Sequence, residues 1–301
     1  MRRLTSSLWE LLDYGFFQRA LLGGAVAAIA CAAVGVFILL RKEAMVGHGI
    51  AHVSFGGVAI GVYMVSVGMY VGSEDTFPLV TALLVSIVAM LTITTLRRGG
   101  IAESDAAIAM VTAMGFAVGI IIISLADGFS VDLFSFLFGN VLTITWQELA
   151  LTLILGTVIV AFVLLLYKEL LSITFDESAA RLSGLPVGGL VIAFVVLVAF
   201  TIVMSIKVVG IILVSALLAI PGITAFQLRL SFRGTMVAAV AFGVLAVVLG
   251  IFLSAVYEVA ASGLIVVVSL VLLGVTALYV RLGDAPEDDV TRDDVTTGTG
   301  P

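Results

Sequence analysis

Charge is scarce in this sequence. Only 11% of its 301 residues are Asp, Glu, Lys or Arg, where a soluble domain carries about a quarter. That deficit excludes a water-soluble enzyme. Cysteine is nearly absent: Cys31 stands alone inside an apolar run, which excludes both a disulfide and a cysteine-based metal cluster within one chain. Lysine is confined to Lys42, Lys168 and Lys207, which follow Arg41, Tyr167 and Ile206. None completes the Gly-Lys-Ser/Thr of a phosphate-binding loop, so the chain does not bind ATP by that motif. A membrane protein of this kind uses an ion gradient, forms a passive pore, or borrows an ATPase.

What is abundant is apolar surface. Hydrophobic residues make up 62% of the chain and mean hydropathy is +1.30. At about 20 apolar residues per spanning helix, this suffices for an all-α, polytopic transmembrane helical bundle of about 8–9 spans. Apolar runs fall at 20–40, 48–70, 78–96, 104–126, 147–167, 187–206, 208–228, 235–256 and 263–280, the sixth and seventh barely separated. Arg41 and Lys42, Arg97 and Arg98, Lys168 and Arg181, Arg229 and Arg233, and then Arg281 occupy alternate gaps, which the positive-inside rule assigns to the cytoplasmic side. The opposite gaps hold Glu74, Asp75, Asp127, Asp132 and Glu258, with Lys207 as the one base near them. This puts the amino terminus outside, against the pull of Arg2, Arg3 and Arg19.

Three regions follow. Residues 1–19 contain Leu4, Leu8, Leu11, Leu12 and Phe16 at helical spacing beside Glu10 and Asp13, the pattern of an amphipathic interfacial segment. No small-residue cleavage site follows a short apolar core, so a cleaved signal peptide is not expected. Residues 20–282 form the transmembrane domain. Residues 283–301 carry Asp284, Glu287, Asp288, Asp289, Asp293 and Asp294 against Arg292 alone, and without them the net charge of −6 falls to 14 acids against 13 bases. So polar a stretch reads as a disordered cytoplasmic tail. Residues 127–146 mix aromatics, Gly and Asp and suggest a short interfacial or re-entrant segment on the outer side, whereas 168–186 form the longest inner loop, with a helix cap at Asp176.

An ionisable group at membrane depth costs about 2.5–3.5 kcal/mol even on lenient scales, so the few polar residues carry the information. The two histidines of the chain, His48 and His52, lie four apart and therefore on one helical face. Neutral imidazoles at that spacing can ligate one transition metal, although the spacing also arises without function and two ligands do not complete a site. Asp105 and Glu103 begin the fourth run, where a carboxylate serves equally as a first-turn acid; for Glu103 capping is the better reading. Glu258 lies at the outer end of the eighth run, as an interfacial anchor or an outer gate. Pro221, flanked by Gly210 and Gly222, breaks a helix of the kind that lines transport pathways.

Taken in order, LLRKEAMVGHGIAHVSFGGVAIG at 39–61, ESDAAIAMV at 103–111, VDLFSFLFGNVLTIT at 131–145, SITFDESAARLSGL at 172–185, KVVGIILVSALLAIPGITA at 207–225 and SAVYEVAASGLIVV at 254–267 resemble the permease subunits of ABC-type importers for zinc, manganese or iron. The resemblance spans roughly residues 17–280. It implies a type II-like permease fold, a multi-pass position in the cell membrane, and no catalytic activity in this chain itself. It further implies a second permease copy, cytoplasmic ABC ATPase subunits, an extracytoplasmic metal-binding protein and surrounding lipid as partners, with no nucleic acid. No tightly bound cofactor is implied; zinc or manganese would be the transported substrate, zinc first. In the family the second segment usually begins Gly-Asp, followed three residues later by a small residue and His. In this chain Gly47 and His52 match while His48 takes the Asp position, which suits zinc better than manganese. By the same resemblance His48, His52 and Asp105 form a transient metal site, Glu258 matches an acidic outer position, and Asp176, Arg181 and Gly184 fall in the segment that contacts the ATPase. The rival expectations are a secondary transporter driven by a proton or sodium gradient, and a non-transporting scaffold.

Overall fold

The computed structural model describes residues 13–74, 76–125, 139 and 144–283. The regular elements among them are all helices: α1 (Gly15–Leu40), α2 (Ala44–Ser66), α3 (Phe77–Arg98), α4 (Ser104–Leu125), α5 (Trp146–Leu165), α6 (Tyr167–Phe175), α7 (Glu177–Leu182), α8 (Val187–Val209), α9 (Ile211–Gln227), α10 (Phe232–Tyr257) and α11 (Ala261–Gly283). Eight are long and apolar enough to cross a membrane, and α9, with 17 residues, is a shorter apolar helix. The expected count of about 8–9 spans is therefore met by eight long helices and one short one. The first span starts at Gly15, so residues 15–19 of the expected interfacial segment belong to α1. Residues 1–12, almost all of the 127–146 segment and the tail from 284 lie outside the described residues.

Side-chain contacts give the direction of each helix. Along α1, Gly23 lies against Val208, Cys31 donates its thiol to the Ser205 hydroxyl at 3.2 Å, and Phe37 meets Phe194 at 6.4 Å. Rising numbers on α1 pair with falling numbers on α8, so the two are antiparallel. On α9 a side chain at Gly222 would strike Leu39, and one at Gly35 would strike the Leu218 carbonyl. The steps run the same way, so α1 and α9 are parallel. Phe17 against Phe252 at 5.0 Å brings the start of α1 to the end of α10.

This ladder also shows why α9 is short. Extrapolating from the Gly35–Leu218 level, Ile211 lies near Ala28, about 20 Å along α1 from Gly15 at 1.5 Å per residue. Helix α9 thus starts part way into the bundle rather than at its edge. The chain reverses at Gly210, whose φ of 83° is open to glycine at little cost. Its N–H donates to the Ile206 carbonyl at 2.8 Å and its carbonyl accepts from the Val214 N–H at 3.0 Å, so one residue closes α8 and opens α9. Irregular backbone at membrane depth is tolerated only where protein covers it, and Val208, Val209, Ile211 and Leu213 are all buried.

Charges assigned to one side by the sequence meet in space. Arg41, Glu43, Arg97, Arg98 and Glu177 form one ion-paired group, all from gaps expected on the inner side. Lys207 pairs with Glu148 at 3.1 Å and the Arg19 guanidinium stacks on Trp146 at 5.3 Å, all at the opposite end. Glu148 also completes a capping box with Thr145 that starts α5.

Helix α2 lies at the centre of a three-helix unit with α3 and α4, and glycine lets it do so. A side chain at Gly56 would strike the Gly115 carbonyl, and one at Gly119 would come within 2.8 Å of the Gly56 Cα, so α2 and α4 touch backbone to backbone. On another face, a Cβ at Gly57 would fall 2.6 Å from the Ala82 Cα of α3. Without a hydrophobic driving force between helices in lipid, such close approach supplies the packing attraction. The buried Ser54 and Ser86 hydroxyls, 2.7 Å apart, join α2 to α3 as well. Gly56→Val should therefore destabilise the fold by about 1–3 kcal/mol through overpacking, read as a lower melting temperature in detergent. Gly188→Ala, where a Cβ meets nothing within 4 Å, should leave that temperature unchanged; equal melting of both variants would contradict this packing.

Candidate metal site

Helix α2 begins immediately after Glu43 and carries His48 and His52 in its first half. At 1.5 Å per residue they stand about 6 and 12 Å along it, within a helix long and apolar enough to cross a membrane. The imidazole rings meet edge to face with centroids 4.5 Å apart. His48 is exposed on the surface of the single chain and His52 is half-buried. Phe116 of α4 packs on the His52 ring at 5.5 Å and is itself held near Phe55 at 5.8 Å. Among the described residues nothing covers His48, which stands exposed, and Phe116 itself is 36% exposed. A paired donor set at depth, apolar at its margins and open on one side, suits brief binding of a metal ion.

The remaining expected site residues lie further off. Asp105 is exposed in the first turn of α4, and among the described residues no group of three or more His, Cys, Asp and Glu side chains is gathered. The two histidines come together within one chain; Asp105 does not join them there. Glu103 is exposed just before α4. Glu258 caps α10 with a left-handed backbone, φ 54°, and stands exposed at the outer connection to α11.

At the inner side, α6 and α7 form a capped, two-piece segment. The Asp176 carboxylate accepts from the Ser178 and Ala179 N–H groups at 2.8 and 3.0 Å, the arrangement that starts a helix. At the other end, Gly184 takes a φ of 81°, its N–H donating to the Arg181 carbonyl while the Leu185 N–H donates to that of Ala180. That is a Schellman closure, in which glycine relieves the left-handed position. Leu170, Ile173 and Ala180 are buried against the bundle, while Phe175 and Leu182 are 69% and 90% exposed. Arg181 is exposed beside them.

The sequence reading missed Glu43. Its side chain is only 7% exposed and pairs with Arg41 and Arg97, while Glu177 pairs with Arg41 at 3.2 Å and Arg98 at 3.6 Å. These residues border a cavity of about 340 Å³ that also touches Met90 and Phe194. The available signal was an acid placed directly among inner-side bases at a helix start.

Comparison with known proteins agrees with this architecture. The profile of the ABC 3 transport family matches residues 13–280. The manganese transport system membrane protein MntC of Halalkalibacterium halodurans is 33% identical over 279 residues, covering 93% of this chain and 92% of that protein. The manganese import system permease protein ScaB of Streptococcus gordonii is 31% identical, covering 86% and 89%. Among solved structures, PsaBC from Streptococcus pneumoniae in complex with Fab superposes with a TM-score of 0.79 at 30% identity, over 93% of this chain and 100% of that one. With nine apolar helices among the described residues and a family match over nearly its whole length, the chain belongs to the ABC 3 transport family.

Proposed function

We propose that this chain is the permease of an ATP-driven importer of a divalent transition metal, with the ion passing His48 and His52 on the open face of α2. The observation that carries the reading is the histidine pair, in ring contact at 4.5 Å at a depth where an unpaired polar group is costly. Histidines facing lipid would have nothing to offset that cost, so the face is better understood as covered by a second permease copy. Asp105, from the start of α4, would add an oxygen ligand as the helices move, and Glu258 would act at the outer gate. An incomplete ligand set is fitting, since a fully satisfied cage would not release its cargo.

Energy would come from separate subunits, because the chain lacks a Gly-Lys-Ser/Thr loop. Phe175, Leu182, Arg181 and the capped turn from Asp176 to Gly184 provide the surface on which a cytoplasmic ATPase would dock, and a metal-binding protein would deliver cargo at the outer side. Transport would proceed by alternating access, the interface between copies opening outward and then inward. The relatives named for manganese transport support manganese as cargo. Zinc is the second reading, favoured by the two imidazoles, because nitrogen donors suit it better than the harder manganese ion.

In vesicles, uptake should require both the ATPase and ATP; gradient-driven uptake by the chain alone, abolished by an ionophore, would overturn the proposal. Leu182→Asp, or Gly184→Trp at the strained turn, should weaken capture of the ATPase or its stimulation while membrane insertion stays intact. Wild-type coupling in both would reject this segment as the docking surface.

His52→Ala should cut uptake by about tenfold or more, since even an outer-shell partner of a metal ligand is worth roughly 10–100-fold, with protein levels near normal. His48→Asp should retain uptake and move preference from zinc toward manganese. Competition uptake with both metals is the measurement. Undiminished uptake in His52→Ala would defeat the site, and an unchanged zinc-to-manganese ratio in His48→Asp would defeat the selectivity argument.

A further inference from the structure

The inner ion pairs form a closed ring. Arg97 pairs with Glu43, Glu43 with Arg41, Arg41 with Glu177, and Glu177 with Arg98; because Arg97 and Arg98 are consecutive at the end of α3, the chain of charges returns to its start. Its five members come from four different pieces of the machine. Arg41 ends α1, Glu43 is the residue before α2, Arg97 and Arg98 end α3, and Glu177 opens α7. Where the ring crosses between distant elements its members are 54, 136 and 79 residues apart.

Two features separate this ring from ordinary surface pairs, whose worth is small. The side chains of Glu43 and Arg41 are only 7% and 12% exposed, and the Arg41 guanidinium also stacks over Phe194 of α8 at 5.5 Å. Breaking one partner of such a pair leaves a covered charge uncompensated, which is costly. Second, the ring lies one short stretch from every candidate metal ligand. Glu43, at the N-cap of α2, precedes His48 by five residues, and Arg98 precedes Asp105 by seven across one tight connection. Glu177 lies in the segment whose outer surface is proposed to receive the ATPase.

We infer that this ring is the mechanical link between the docking segment and the metal helix: Glu177 ties α7 to Arg41 and Arg98, and Glu43 passes its displacement to the base of α2. Arg41, Glu43, Arg98 and Glu177 are positioning residues, touching neither cargo nor nucleotide. The inference rests on the docking reading of α6 and α7. In physical terms the ring makes α7 and the inner ends of α1, α2 and α3 move as one body, so that a pull on the first biases the arrangement around His48 and His52. A coupling free energy needs such a shared element that both sites bias.

The test is a double-mutant cycle on the assembled transporter in vesicles, with Arg98→Gln, Glu177→Gln and the pair together, reading ATPase co-purification, ATP hydrolysis and metal moved per ATP. Arg98→Gln should keep the ATPase bound and hydrolysing while metal moved per ATP falls by about fivefold, the lower edge of ordinary coupling. Glu177→Gln, which breaks two pairs, should fall further. The double variant should be no worse than Glu177→Gln, because residues that act through one contact are not additive. Arg281→Gln, the same charge change on the same side but outside both the ring and the docking segment, should leave the ratio unchanged.

An unchanged ratio in both single variants, or losses that multiply in the double, would overturn the inference. A matching loss in Arg281→Gln would do the same, by showing a general effect of inner charge. Loss of the ATPase from Glu177→Gln but not from Arg98→Gln would make Glu177 a docking contact and overturn the link. Failure of the wild-type chain to bind any ATPase would instead remove the docking reading itself, and this inference with it.

Discussion

A helix that carries imidazoles at membrane depth has to be held in place with little polar help, and the backbone contact of α2 with α3 and α4 does this. Gly56 and Gly119 bring α2 onto α4, and Gly57 brings it onto α3. Lipid tails are as apolar as leucine, so burial alone gives no drive for these helices to associate. What holds them is dispersion at short range, which falls away if a side chain forces the backbones apart. The face of α2 left free by those two contacts is the one that bears His48 and His52. Glycine placement on the other faces therefore decides where the histidines point.

Among the described residues the ion pairs lie at the two ends of the bundle, and each end uses them differently. At the outer end, Lys207 with Glu148 and Arg19 over Trp146 fasten α1, α5 and α8. At the inner end, alternating charges close a ring around covered Glu43 and Arg41. Between the two ends the chain breaks its helical run at Gly210, where the backbone groups of that residue find partners on both sides. The result is a short α9 beginning inside the bundle and packed against Gly35 and Gly47 near the histidine helix. A helix break packed within the protein leaves no unpaired backbone exposed to lipid.

Much of this was legible in the sequence because hydropathy and charge act locally. The apolar runs marked the spans, and the alternation of arginine-bearing gaps sorted the ends; the contact of Arg41 with Glu177 and of Lys207 with Glu148 agrees with that sorting. The i, i+4 spacing placed His48 and His52 on one face, and their rings do meet. The ring around Glu43 was not legible, since it joins residues far apart in the chain and no local pattern reports such a closure. The depth at which α9 begins was hinted at by Gly210 and Pro221 but could be read only from its register against α1. Asp105 shows the converse limit: sharing a depth with the histidines did not bring it to them within one chain.

The central claim is that cargo metal passes along the open face of α2, against His52. Anomalous scattering at the manganese edge, recorded from crystals of the assembled permease and ATPase soaked in manganese, tests it most directly. The account predicts a peak within coordination distance of a His52 ring nitrogen, on the face between two permease copies, that disappears in His52→Ala. A bound ion held elsewhere in the permease, with neither His48 nor His52 among its ligands, would contradict it.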